Sequence, residues 1–169
     1  RVVPERPVPT NRSMMRAAEL LSIAKNPVIV VGGGAVGAGF CVTALAEWLD
    51  AIVIASNAGK GVVPDTHPLS LGGGLIRREV RDHLSQTDVI LALGTELSAT
   101  DSFVETLPIN GKLIRVDIDP SKFNDAYPAD IAIQGDAGAA AAGILAALQK
   151  LAAAPMSRGS REKASVLRD

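Results

Sequence analysis

One cysteine, Cys41, and two histidines, His67 and His83, are the only soft metal ligands in this 169-residue sequence. A lone thiol builds neither a disulfide framework nor a thiolate zinc site, and it points to a reducing compartment, the cytoplasm. Two imidazoles are too few for a transition-metal cluster, so no metal site is expected. Excess charge of either sign is also missing. A formal net charge of −1 removes the basic footprint of a nucleic-acid or anionic-membrane binder, and neither partner is expected. No apolar run could span a bilayer unbroken: Val28 to Ala46 is uncharged, but Gly32, Gly33, Gly34, Gly37 and Gly39 interrupt it. Nor does a signal-peptide pattern follow Arg1, and the sequence reads as a piece of something longer.

What is present fits one buried core. Pro4, Pro7 and Pro9 make residues 1–12 an extended inter-domain linker, since proline denies backbone donors. Residues 155–169, with Arg158, Arg161, Glu162, Lys163 and Arg168 and few apolar anchors, read as a charged mobile tail or linker. Residues 13–154 form the domain. Ala17, Leu20, Leu21 and Ala24 are at helical spacing, which predicts a helix from Ser13, its candidate cap, to Lys25, ended by Pro27. Val28 to Val31 is a continuous β-branched run of the kind buried on both faces. A helix over Val36 to Leu49 follows, then a strand at Ile52 to Ile54 and a helix from Arg78 to Gln86. Further strands are expected at Val89 to Leu93, Leu113 to Asp117 and Ile131 to Ile133, and a last helix, capped by Asp136, over Ala137 to Leu151. This alternation predicts an α/β fold with a doubly wound, mostly parallel sheet and helices on both faces. Ligands of such sheets lie beyond the carboxyl ends of the strands.

Gly32-Gly33-Gly34-Ala35-Val36-Gly37 satisfies G-x-G-x-x-G after a strand, where backbone amides and a helix start could meet a phosphate; the alternative is a tight turn with no ligand. NAD sites also need an acid after the second strand, and here that strand ends in Ala55-Ser56-Asn57, with Asp50 at its wrong end. Gly59, Lys60 and Gly61 form either a phosphate-approaching loop or a solvated one. Gly72-Gly73-Gly74 with Arg77 and Arg78 carries the same ambiguity, and His67 reads as a turn residue. Asp117 and Asp119 stand where a ribose or adenine would be read, although Asp119 before Pro120 is equally a cap.

Taken in order, Ala24-Lys25-Asn26-Pro27-Val28, the turn at 32–34, Gly59-Lys60-Gly61, His67-Pro68-Leu69-Ser70-Leu71-Gly72, Leu91 to Leu97, Val116 to Pro120 and Gly135-Asp136-Ala137 resemble one family. It is the central domain of thiamine-diphosphate-dependent enzymes, the group of acetolactate synthase, oxalyl-CoA decarboxylase and other 2-oxo acid decarboxylases. The resemblance runs from about Ser13 to Leu151. It implies a six-stranded, Rossmann-like sheet of the DHS-like nucleotide-binding kind, lying between pyrimidine-binding and diphosphate-binding domains of one parent chain. Those domains would hold thiamine diphosphate and magnesium, in a parent that is a homo-oligomer. The central domain itself takes FAD in some members, ADP in others and nothing in the rest. By position, the residues implied to line such a site are Gly32, Gly33, Gly34, Gly59, Lys60, Gly61, Leu71, Gly72, Gly94, Thr95, Asp117, Asp119, Gly135 and Asp136.

Departures from the family pattern narrow this. Leu71-Gly72 is followed by Gly73-Gly74-Leu75 where acetolactate synthases have Met-His-Gly, and Thr95 to Asp101 replaces their aromatic and acidic run, which weakens FAD. Gly135-Asp136-Ala137 lacks the third glycine of the magnesium motif, and no asparagine follows Asn124. No catalytic residue is therefore expected in this chain. The rival readings are a free-standing NAD-binding oxidoreductase or deacylase module, and a purely structural domain with an empty pocket.

Overall fold

The computed structural model describes residues 5–168. The chain forms α1 (Asn11–Ile23), β1 (Pro27–Val31), α2 (Gly39–Leu49), β2 (Ile52–Ala55), α3 (Arg78–Ser85), β3 (Val89–Leu93), α4 (Ala99–Ser102), β4 (Lys112–Asp117), β5 (Ile131–Gln134), α5 (Ala137–Leu151) and α6 (Ser160–Arg168). All strand pairings are parallel, in the order β2-β1-β3-β4-β5. β1, β2 and β3 are apolar throughout because each feeds two cores. Ile29 and Val31 of β1 pack with α1, α2 and α5 on one face, while Val28 and Val30 face α3 and α6 on the other. The fold is thus the expected doubly wound α/β sheet.

The sheet has five strands among the described residues rather than six. At the sixth position the chain from Leu69 to Gly72 runs beside β2: Val53 N donates to Leu69 O at 2.8 Å and Leu71 N to Val53 O at 2.9 Å. Only one bridge, Val53 to Ser70, has strand character. Pro68 before it and Gly72 at φ 55° after it leave no room for a longer ladder.

Helix boundaries follow cap chemistry. Thr10, not Ser13, caps α1, with its Oγ1 accepting from Ser13 N at 3.2 Å. α2 begins at Gly39 rather than Val36, because residues 33–35 make a 3-10 turn and Gly37 at φ 88° turns the chain before the helix can start. Asp136 caps α5 as expected, its Oδ2 accepting from Ala139 N at 3.0 Å.

The described parts of both flanks lie on the domain, and residues 1–4 of the expected linker, Pro4 among them, lie outside the described residues. Pro9 is buried, and Asp136 N donates to Pro7 O at 2.9 Å. Where a charged mobile tail was expected, residues 160–168 form α6, which buries Ala164 in the second core. The anchor is Arg158. Its guanidinium donates to Ala24 O at 2.9 Å, to Leu21 O at 3.2 Å and to Leu49 O, meeting carbonyls at the ends of α1 and α2. Asp50, at φ 46°, completes the latch by accepting from Arg158 N and Ser160 N. Charge density suggested a solvated tail, but these charged and polar groups are spent on backbone.

His83 of α3 has its Nε2 buried without a hydrogen-bond partner among the described residues. Burial, then the charge of Lys163 on α6, holds its pKa below the ordinary 6.5. With the folded pKa depressed, the unfolded chain binds the proton first, so stability falls as pH drops through about 6.5 and below. Thermal melts from pH 8 to 5 should show this loss in the wild type and a flatter profile in His83→Gln. Parallel profiles would remove His83 as the cause.

Candidate functional site

β1 pairs with β2 on one side and β3 on the other, so the loops leaving β1 and β3 diverge to opposite faces. At that divergence, beyond the carboxyl ends of the strands, lies a cleft of about 530 Å³. Gly33, Gly34, Gly94, Thr95, Asp117 and Gly135 of the residues expected from sequence line it. The other eight lie elsewhere. Gly32 sits behind the turn, its N–H donating to Leu93 O at 3.0 Å. Gly59 is buried at the end of the 3-10 turn after β2, and Gly61 serves a turn at φ 82°. Lys60 lies along Gly73, where an added Cβ would stand 2.7 Å from Lys60 Cε. Leu71 belongs to the second core and Gly72 to the edge segment, accepting from Ala55 N at 2.7 Å. Asp119 caps the 3-10 turn Pro120–Asn124, accepting from Ser121 N at 2.9 Å, a bond that lowers its pKa. Asp136 caps α5 and pairs with Arg6 at 2.6 Å, and the Arg6 bond is the main cause of its lowered pKa.

The glycine turn is explained first by packing. A Cβ on Gly34 would come 2.8 Å from Gly94 Cα, and one on Gly94 would come 2.6 Å from Gly34 Cα. The two loops touch backbone to backbone, and Gly34 N donates to Gly94 O at 2.9 Å. Ala35 N is likewise spent, on Gly32 O at 3.0 Å. The Gly32 and Gly34 amides thus hold the turn against β3 and the loop after it, Ala35 N closes the turn on itself, and Gly33 N takes no part in these bonds.

Several cleft residues were not expected from sequence as site residues: Ser56, Asn57 and Ala58 after β2, Glu96, Ser98, Thr100 and Asp101 after β3, Ile118, Ala137 and Arg6. Applying the carboxyl-end rule to every loop would have found most of them. Arg6 offers no such signal, because its partner Asp136 is 130 residues away. The carboxylates have fixed neighbours. Asp101 Oδ1 accepts from Asn57 N at 2.9 Å, Asp117 Oδ1 from Asp119 N at 3.0 Å, and Glu96 pairs with Lys122 at 2.8 Å.

Behind the cleft wall lies Arg115, in the middle of β4 and only 1% exposed. Nη1 donates to Asp125 Oδ1 at 2.5 Å and to Tyr127 O at 3.1 Å, while Nη2 donates to Thr95 O at 3.2 Å. One guanidinium therefore ties the loop after β3 to the segment between β4 and β5.

A parallel doubly wound sheet with its cleft at the switch point defines a nucleotide-binding-type α/β domain. Comparison with known proteins gives its family: the sequence model for the central domain of thiamine pyrophosphate enzymes matches residues 14–148, and the chain belongs to that family. It is 46% identical over 134 residues to a Pseudomonas aeruginosa protein described as a probable 2-ketoarginine decarboxylase, covering 79% of this chain and 24% of that one. It is 38% identical over 151 residues to sulfoacetaldehyde acetyltransferase of Rhodobacter capsulatus, covering 85% and 26%. With the large subunit of Escherichia coli acetolactate synthase isozyme 3 the identity is 37% over 129 residues, covering 72% and 22%. A solved structure from Mycobacterium smegmatis, described as a thiamin diphosphate-dependent enzyme, superposes with a TM-score of 0.72 at 26% identity, over 94% of this chain and 31% of that one. The chain spans about a quarter of the length of these curated relatives. Nothing in these likenesses supports a free-standing NAD-binding oxidoreductase or deacylase.

The cofactors that the family implies fit this chain's residues poorly. FAD or ADP would need free backbone donors or cations for its diphosphate. Here the Gly32, Gly34 and Ala35 amides are paired, three carboxylates line the cleft, and Arg6 is held by Asp136. Thiamine diphosphate with magnesium would need a free carboxylate at Gly135-Asp136-Ala137, and Asp136 is committed to α5 and Arg6. Among the described residues no group of three or more His, Cys, Asp or Glu is placed to hold a metal ion, and no helix is long and apolar enough to cross a membrane.

Proposed function

We propose that this domain is the scaffold of a longer thiamine-diphosphate-dependent enzyme, a cytoplasmic 2-oxo acid decarboxylase or carboligase. In this reading pyrimidine-binding and diphosphate-binding domains of the same parent chain, assembled as a homo-oligomer, hold thiamine diphosphate and magnesium. The cofactor supplies the carbanion chemistry there, and this domain fixes the spacing and orientation of its neighbours. The observation that carries the reading is the family match over 135 residues of a chain only a quarter as long as its relatives. The proline-rich segment before α1 and the end of α6 are the proposed connections to the flanking domains.

FAD or ADP in the cleft is the variant of this reading that the geometry favours least, and a purely structural cleft is favoured over it. The observation behind that preference is the pairing of the Gly32 and Gly34 amides with β3 and the loop after it.

The test is to supply the full-length protein that carries this domain with thiamine diphosphate, magnesium and a panel of 2-oxo acids, including 2-ketoarginine and pyruvate. Carbon dioxide release or acyloin formation that stops when thiamine diphosphate is withheld is the expected result. No turnover of any member of the panel would contradict the proposal.

A further inference from the structure

The loops that would cradle a nucleotide diphosphate are, in this chain, already joined by a carboxylate. We propose that Asp101 serves as a built-in anion that occupies the donor side of the cleft, so that the cleft rejects nucleotide phosphates and favours uncharged groups. The proposal rests on the central-domain reading only for the expectation that a nucleotide would be the ligand. Asp101 reaches from α4, after β3, to the backbone N–H of Asn57, after β2, at 2.9 Å. Asn57 Nδ2 returns a bond to Thr100 O at 3.3 Å, and Ser98 Oγ accepts from Thr100 N at 3.2 Å, which fixes the turn carrying Asp101. A phosphate bridging these loops would have to displace Asp101 and then face its charge.

Of the turn amides, only that of Gly33 is left to offset that penalty. Asp117 lines the same cleft, as does Glu96 with its partner Lys122, the Gly32 and Gly34 amides are spent on Leu93 and Gly94, and Arg6 is paired with Asp136. Like charges at close range are strongly unfavourable where solvent is partly excluded, and an anion needs the opposite surroundings. The stitch between the loops after β2 and β3, which a bound diphosphate could provide, is here part of the chain itself.

Calorimetric titration of the 169-residue chain with adenosine, ADP and pyrophosphate tests this, together with Asp101→Asn, which keeps an acceptor, and Asp101→Ala, which removes both acceptor and charge. The wild type should bind ADP no more tightly than adenosine and give no pyrophosphate heat. Asp101→Ala should bind ADP at least about tenfold more tightly than the wild type, with Asp101→Asn between them. Wild-type ADP affinity tenfold above that for adenosine would overturn the proposal, as would a folded Asp101→Ala with no gain. If Asp101→Ala does not fold, the presence or absence of a gain in Asp101→Asn decides. Any of these failures would leave the central-domain reading standing, because that reading is measured by turnover in the full-length protein.

Discussion

Gly94→Ala is expected to destabilise the domain by about 3–5 kcal/mol, combining left-handed backbone strain with overpacking. Gly94 lies at φ 57°, where a side chain is strained whatever the space around it. The new methyl would also stand 2.6 Å from Gly34 Cα and 2.8 Å from Gly34 C, and backbone held between β1 and β3 has no rotamer through which to yield. For a domain of this size the melting temperature should fall by about 6–20 °C. Gly37→Ala is the matched control. Gly37 has φ 88° but nothing within 4 Å of an added Cβ, so only the strain, about 1–2 kcal/mol, applies. Circular-dichroism melts of both variants separate the effects. Equal losses would mean that the contact between the two loops does not explain the glycine.

Asp125→Ala should cost about 3 kcal/mol, the low end for breaking a buried ion pair, because Asp125 is 29% exposed while Arg115 is 1% exposed. The loss comes chiefly from the guanidinium left in the sheet with its charge unanswered, and less from the lost attraction. Replacing the whole pair, Arg115→Met with Asp125→Ala, should therefore be less damaging than the sum of the single changes, since no buried charge remains. Urea melts of the two single variants and the double variant measure the coupling. Strict additivity would show that Arg115 finds other partners, Tyr127 O and Thr95 O among them, sufficient for its charge.

Much of the fold is legible in the sequence, for a physical reason. Val28 to Val31 and Val89 to Leu93 are buried on both faces, so every residue is apolar and the run itself marks the strand. α5 follows the sequence from its first residue to its last because one residue, Asp136, both signals and makes the cap. Failures arise where distant chain decides. Ser13 and Thr10 are both competent caps, and the placement of Pro9 against Gly135 goes with the earlier one. Residues 155–168 look like a solvated tail until Arg158 meets three carbonyls from α1 and α2 that no local pattern reveals.

The site was legible in its location and less so in its chemistry. Gly33, Gly34, Gly94, Thr95, Asp117 and Gly135, which the resemblance implied by position, line one cleft beyond the carboxyl ends of the strands. Glycine turns, however, look alike in sequence whether their amides face a ligand or another loop, and Gly32 and Gly34 face the loop after β3. Arg115 sat unnoticed inside an apolar strand, although a lone arginine flanked by Ile114 and Val116 signals a buried partner.

We propose this chain as one scaffold domain of an enzyme whose cofactor is held by other domains. The most direct test is carbon dioxide release by the 169-residue chain alone, supplied with thiamine diphosphate, magnesium and 2-oxo acids and kept free of full-length protein. No release above a no-protein control is the predicted result. Turnover that depends on thiamine diphosphate and follows the folded chain through purification would contradict the account.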